Sequence, residues 1–116
     1  MEIINIIPML SALSQENRLE TFRLLVKAGP EGMPAGEVAA ALGLPPNTLT
    51  FHFDRLRNAG LVTVKREGRS MIYAARIDAI NSLVGYLTEN CCGGEPEKCF
   101  PTNKASRKKT RQNENA

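Results

Sequence analysis

Glu37-Val38-Ala39-Ala40-Ala41-Leu42-Gly43-Leu44-Pro45-Pro46-Asn47-Thr48-Leu49-Thr50-Phe51-His52-Phe53-Asp54-Arg55-Leu56-Arg57-Asn58-Ala59-Gly60 is the stretch that decides the fold. Gly43 stands where a short helix needs a left-handed residue to stop. Pro45-Pro46 cannot continue a helix but can open the next one, because proline is tolerated in a first turn. Two helices therefore meet at a tight corner, a helix-turn-helix. At about 100° per residue, Leu49, Phe53, Leu56 and Gly60 share one face of the second helix, and Asn47, Phe51, Arg55 and Asn58 lie opposite, flanked by Thr48 and Thr50. The first set packs. The second set offers amides, hydroxyls, a guanidinium and an exposed ring, which can address base edges and phosphates. An ordinary solvated face is the plainer reading of the same arc.

The next segment tips the balance toward DNA. Leu61-Val62-Thr63-Val64-Lys65-Arg66-Glu67-Gly68-Arg69-Ser70-Met71-Ile72-Tyr73-Ala74-Ala75 contains two strand-like runs hinged at Glu67-Gly68. A β-hairpin directly after such a helix is a wing, so the expected fold is mainly α: a winged helix-turn-helix with five helices and a two-stranded wing.

Charge supports the same face. The formal net charge of +3 comes from the tail, since residues 1–100 hold ten lysines and arginines against eleven acidic residues. Within residues 45–76, however, Arg55, Arg57, Lys65, Arg66, Arg69 and Arg76 are opposed only by Asp54 and Glu67. It is this local excess that sets the field at a binding face. With 116 residues and 42% apolar content, the chain is expected to form one modest core. The apolar run Ile3 to Leu10 is short, broken by Asn5 and Pro8, and lacks a basic leader, so no signal peptide or membrane span is expected and a cytoplasmic location is.

Outside the motif, Ile3, Ile4, Ile7, Leu10 and Leu13 recur at roughly helical spacing, with Pro8 expected to interrupt or restart that first helix. Ser14 is the expected N-cap of a second helix with a core stripe of Leu19, Phe22, Leu25 and Val26, stopped at Gly29-Pro30. Glu31-Gly32-Met33-Pro34 reads as a loop. After the wing, Asp78 is expected to cap a fifth helix bearing Ile80, Leu83, Val84, Leu87 and Cys91 on one face and ending at Gly93-Gly94. The first and last helices are richer in apolar residues than one thin core needs, which predicts a twofold homodimer through them. Three segments follow: a DNA-binding and dimerisation domain (1–92), a cysteine-containing segment (93–101) and a disordered basic tail (102–116). No nucleophile is matched to a base, so an enzyme is not expected; the single histidine, His52, belongs to the helix-turn-helix as a structural or phosphate-contacting residue.

The order helix, helix, short helix, recognition helix, wing, final helix resembles the ArsR/SmtB family of winged-helix metal-sensing repressors over about Leu10 to Asn90. The resemblance is carried by Leu13-Ser14-Gln15-Glu16-Asn17-Arg18-Leu19, by Glu37 to Leu44, by Thr48-Leu49-Thr50-Phe51-His52-Phe53, and by Leu56-Arg57-Asn58-Ala59-Gly60-Leu61-Val62 running into Arg66-Glu67-Gly68-Arg69. It implies a repressor bound to operator double-stranded DNA. The expected contacts are Asn47, Thr48, Thr50, Phe51 and Arg55 from the helix, with Arg66 and Arg69 from the wing.

What such a repressor would sense turns on its three cysteines, Cys91, Cys92 and Cys99, which lie within nine residues. The family's Cys-x-Cys arrangement on the third helix is absent, because Pro34-Ala35-Gly36 stands there. The Asp and His residues that its zinc sensors carry on the last helix are absent as well. Asn90-Cys91-Cys92-Gly93-Gly94-Glu95-Pro96-Glu97-Lys98-Cys99 is similar to the arsenite-sensing subgroup, whose cysteines end the last helix. Soft thiolates select thiophilic ions, and three sulfurs suit trivalent arsenic or its homologue antimony, whereas structural zinc takes four ligands. Zinc or cadmium completed by Glu89, Glu95 or Glu97, a thiol redox switch, and a Cys91 that merely packs stay open, as does a winged helix used for protein interaction.

Overall fold

The computed structural model describes residues 2–94. Its elements are α1 (Ile3–Leu13), α2 (Glu16–Ala28), β1 (Met33–Pro34), α3 (Ala35–Leu42), α4 (Pro46–Asn58), β2 (Val62–Glu67), β3 (Ser70–Ala75), α5 (Ile77–Leu87) and the short α6 (Cys91–Gly94). The chain divides into two compact units, Met1–Val84 and Gly85–Ala116. The first contains the whole helix-turn-helix and wing.

The turn forms as its residues require. Gly43 takes the left-handed conformation at φ 67°, and Leu44 N–H reaches back to the Ala39 carbonyl. Pro46 then opens α4 at a position whose N–H would have had no helical partner. At the other end of α4, Gly60 is left-handed at φ 81°, with Gly60 N–H on the Arg57 carbonyl and Leu61 N–H on that of Leu56. This paired closure ends the helix and turns the chain directly into the wing.

The wing is larger than the hairpin read from sequence. Met33–Pro34 reads as a loop, but it pairs antiparallel with β3, Met33 opposite Tyr73 and Pro34 opposite Ile72, giving a three-stranded sheet in the order β1-β3-β2. Gly32 makes this approach possible. It sits at φ +78°, and a Cβ there would be driven into the Tyr73 carbonyl. Between β2 and β3, Glu67 pairs with Ser70, so Gly68-Arg69 is a two-residue loop with only Gly68 at positive φ. That is the pattern of a type II′ turn, and it puts Arg69 at the tip.

The core brings together Ile6, Met9 and Ala12 of α1, Thr21, Phe22 and Leu25 of α2, Val38 of α3, Leu49, Phe53 and Leu56 of α4, then Leu61, Val62, Ile72, Ala79 and Leu83. Several sequence expectations are corrected here. Pro8 lies inside an unbroken α1 on the exposed side, where the carbonyl one turn back can take water instead of the missing N–H. Ser14 closes α1 by donating to the Ser11 carbonyl, and Gln15, in extended backbone, is the true N-cap of α2, accepting from Arg18 N–H at 2.9 Å. On α2, Leu19 and Val26 are exposed; the buried face runs through Thr21, whose hydroxyl is satisfied by the Asn17 carbonyl at 2.7 Å. Asp78 lies in the first turn of α5 and accepts from Arg76 at 3.0 Å, a bond that holds its carboxyl below the usual range.

Leu83, expected at a dimer face, is buried within the protomer, and Ile80 is half-buried. What stays exposed is Ile3, Ile4, Ile7 and Leu10 on α1, with Ile77, Val84 and Leu87 on α5.

In the second unit, α5 stops at Leu87. Asn90 follows at φ 58°, the one non-glycine residue with positive φ among the described residues, and turns the backbone before α6. Asparagine tolerates that conformation better than most residues. Cys91 therefore opens α6 and does not extend the apolar face of α5, as the sequence had suggested.

Candidate nucleic-acid interface

The face of α4 turned away from the core carries Asn47, Thr48, Thr50, Phe51 and Arg55, all exposed. Phe51 is 53% exposed, and the Arg55 guanidinium lies 5.0 Å from its ring centroid, a cation–π contact that holds both side chains on the surface. Thr50 donates its hydroxyl to the Pro46 carbonyl at 3.0 Å, leaving its oxygen as an acceptor. Under this arc, Leu49, His52, Phe53 and Leu56 are buried at i, i+3, i+4 and i+7. The same spacing in sequence would have placed His52 with the packed set.

The wing is locked to α4 by a ring stack. Phe53 and Tyr73 lie parallel, with centroids 3.7 Å apart and 3° between the planes. Burial, followed by the Asp54 charge, raises the Tyr73 hydroxyl above its ordinary value, with Arg57 pulling the other way.

Ion pairing sorts the basic residues. Arg57 pairs with Asp54 at 3.6 Å, Lys65 with Glu67 at 3.1 Å and Arg76 with Asp78 at 3.0 Å. Arg55, Arg66 and Arg69 have no acidic partner among the described residues. Arg66 uses only its Nε, donating to the Gly68 carbonyl at 3.3 Å across the wing turn. Within the helix-turn-helix and wing the unneutralised positive charge thus sits on the outer arc of α4 and at the wing tip, where a duplex would meet it.

Sequence reasoning missed Arg18. Its Nε donates to the Ala12 carbonyl at 2.7 Å, tying the end of α1 to α2, and an η nitrogen lies 3.4 Å from Nδ1 of His52, which is 5% exposed. Burial first, then the Arg18 charge, push His52 below the usual histidine value of 6.5. In the neutral form, Nδ1 can accept from the guanidinium. The ring acts from inside the core, so it is not a surface phosphate contact.

Residues 13–65 match the model of a helix-turn-helix domain. The uncharacterized HTH-type transcriptional regulator YceK of Bacillus subtilis is 35% identical over 77 residues, covering 66% of this chain and 76% of that protein. The chain belongs to the HTH-type transcriptional regulators. Among solved structures, NolR from Sinorhizobium fredii shares 30% identity with this regulator at a TM-score of 0.60, covering 73% of this chain and 82% of that one. A homodimeric winged helix-turn-helix DNA-binding domain from Mycobacterium bovis, a possible ArsR-family regulator, shares the fold at 21% identity and a TM-score of 0.61, covering 80% of this chain and 86% of its own. The regulator is not an enzyme. No helix among its described residues is long and apolar enough to cross a membrane.

Of the candidate metal-ligating residues, Cys91 is half-buried and free of any disulfide. The Cys92 side chain and Cys99 lie outside the described residues, and so do Glu95, Glu97 and the tail from Thr102.

Proposed function

We propose that this winged-helix regulator is a homodimeric repressor that binds an inverted-repeat operator and is released by trivalent arsenic held on Cys91, Cys92 and Cys99. The observation that carries the DNA part is the placement of the unpaired guanidiniums of Arg55, Arg66 and Arg69 around the exposed arc of Asn47, Thr48, Thr50 and Phe51. Phe51 would contact a thymine methyl, Arg55 a guanine edge or phosphate, and the wing arginines the backbone. Two recognition helices about 34 Å apart would read half-sites one helical turn apart. The apolar surfaces of α1 and α5 would form the dimer, in line with the homodimeric Mycobacterium bovis domain.

Arsenite, or antimonite as its homologue, enters as inducer. Cys91 supplies a free, partly accessible sulfur, a donor suited to a thiophilic ion, which would displace the thiol proton on binding. Binding beside the end of α5 would bias a helix assigned to the dimer interface and thereby the spacing of the recognition helices.

Two substitutions test the DNA reading. Arg69→Gln should weaken all sequences alike and lower the salt dependence by about one phosphate contact. Phe51→Ala should change base preference at one position, by about 1–3 kcal/mol. An unchanged affinity and preference for Phe51→Ala would show that the outward face of α4 does not read DNA.

A further inference from the structure

Arg18 and Arg55 come from different helices yet line one pocket of about 350 Å³ between α1, α2 and α4. Ser11 and Asn58 add a hydroxyl and an amide to its wall, and no carboxylate lines it. Neither arginine has an acidic partner among the described residues. Arg18 is half-buried and held in place by the Ala12 carbonyl and His52, so its remaining N–H groups have no protein acceptor among those residues. A partly desolvated guanidinium with unused donors is costly unless a counter-charge satisfies it. Arg55 and Asn58 are exposed on α4, so the pocket opens beside the face assigned to DNA.

We propose that this pocket binds a tetrahedral oxyanion of the phosphate class, supplied either by the backbone of a bound duplex or by phosphate free in solution. Guanidinium groups bind such oxyanions through charge-assisted, often bidentate hydrogen bonds. Ser11 and Asn58 provide further donors within the same wall. The duplex source rests on the DNA-binding reading above; the free source does not. Held there, a backbone phosphate would fix the tilt of α4 against the groove.

His52 is the chain's one histidine, so its imidazole resonances report on Arg18 without ambiguity. In the first arm, inorganic phosphate is titrated into the full-length protein at constant ionic strength against a chloride control. Free-phosphate binding should shift the His52 resonances saturably and raise its titration midpoint, because the anion offsets the Arg18 charge. In the second arm, duplex DNA replaces phosphate. Asn58→Asp, a near-isosteric change that puts a carboxylate in the pocket, should abolish either shift, and Asn58→Ala, which removes one donor but adds no charge, should weaken the shift without abolishing it. If the duplex is the source, wild type should lose about 3.5-fold more affinity than Asn58→Asp over a fourfold rise in salt, the effect of one phosphate contact. A saturable shift in either arm that Asn58→Asp removes supports the pocket. No shift in either arm, or shifts indifferent to Asn58→Asp, overturns it. Failure to bind any duplex would refute the DNA reading alone, and the phosphate arm would still decide the pocket.

Discussion

Replacing Ile7 by glutamate should turn the regulator into a monomer while leaving each protomer folded. Ile7 is 55% exposed on α1, in a patch with Ile3 at 59%, Ile4 at 73% and Leu10 at 41%. Fully burying an isoleucine is worth about 1.5–3 kcal/mol, so covering the exposed half contributes about 0.8–1.6 kcal/mol, counted twice across a twofold axis. Glutamate forfeits that gain and adds two carboxylates that must lose water without partners. Dimerisation should weaken by at least about 3 kcal/mol, more than a hundredfold in dissociation constant. The protomer's own core is Ile6, Met9 and Ala12 on this helix, so its stability should change by no more than about 0.5 kcal/mol. Sedimentation velocity across a micromolar concentration series measures the first quantity, and denaturant unfolding the second. DNA affinity should drop with dimerisation, since two half-sites are no longer engaged together. A variant that still sediments as wild type, with full operator affinity, would refute α1 as part of the interface.

Two further outcomes follow from local geometry. Gly32→Ala should destabilise by at least about 2 kcal/mol and lower the melting temperature by about 8–16 °C, because φ +78° is strained for alanine and its Cβ meets the Tyr73 carbonyl. Gly36→Ala, helical and facing open space, should instead gain about 0.5–1 kcal/mol, so a common sign for the two would contradict the account of β1. His52 should make stability pH-dependent. Its folded-state pKa is depressed, so the unfolded chain binds the proton first, and stability falls as pH drops below about 6.5 toward the folded-state value. Denaturant unfolding from about pH 7.5 to about pH 5.5 should show that loss, and His52→Gln should flatten it.

The helix-turn-helix was legible because its signals are local. Gly43 and Pro46 each impose a backbone state, and the spacing of Leu49, Phe53 and Leu56 fixes which arc of α4 faces outward; Gly60, grouped by that spacing with the packed face, instead lies past the end of α4 and closes it in the left-handed conformation. Features that depend on distant partners were not legible. The pairing of Met33–Pro34 with β3 is made across forty residues by Gly32 and Tyr73, and nothing in a two-residue strand has a period. The buried face of α2 shifted from Leu19 and Val26 to Thr21 because a threonine that bonds its own helix carbonyl can be buried as readily as an apolar residue. Arg18 entered the sequence reading only as part of the family-like stretch Leu13 to Leu19; its partners, the Ala12 carbonyl and His52, come together only when α1, α2 and α4 pack. Cys91 was assigned to the last helix by extending a stripe past Asn90, whose positive φ breaks the phase.

Arsenite titration of the protein–operator complex tests the central claim most directly. A duplex selected by the protein from a random-sequence pool is labelled, and release is followed by anisotropy for wild type and for Cys91→Ser, Cys92→Ser and Cys99→Ser. Wild type should lose operator affinity on binding arsenite by a coupling of about 1–3 kcal/mol, roughly 5–150-fold, and by reciprocity operator DNA should weaken arsenite binding by the same factor. Each serine variant should bind the operator as wild type does but need far more arsenite for release, because a two-sulfur site loses most of its hold. Release of all three variants at the wild-type arsenite concentration, or no release of wild type at all, would contradict the account.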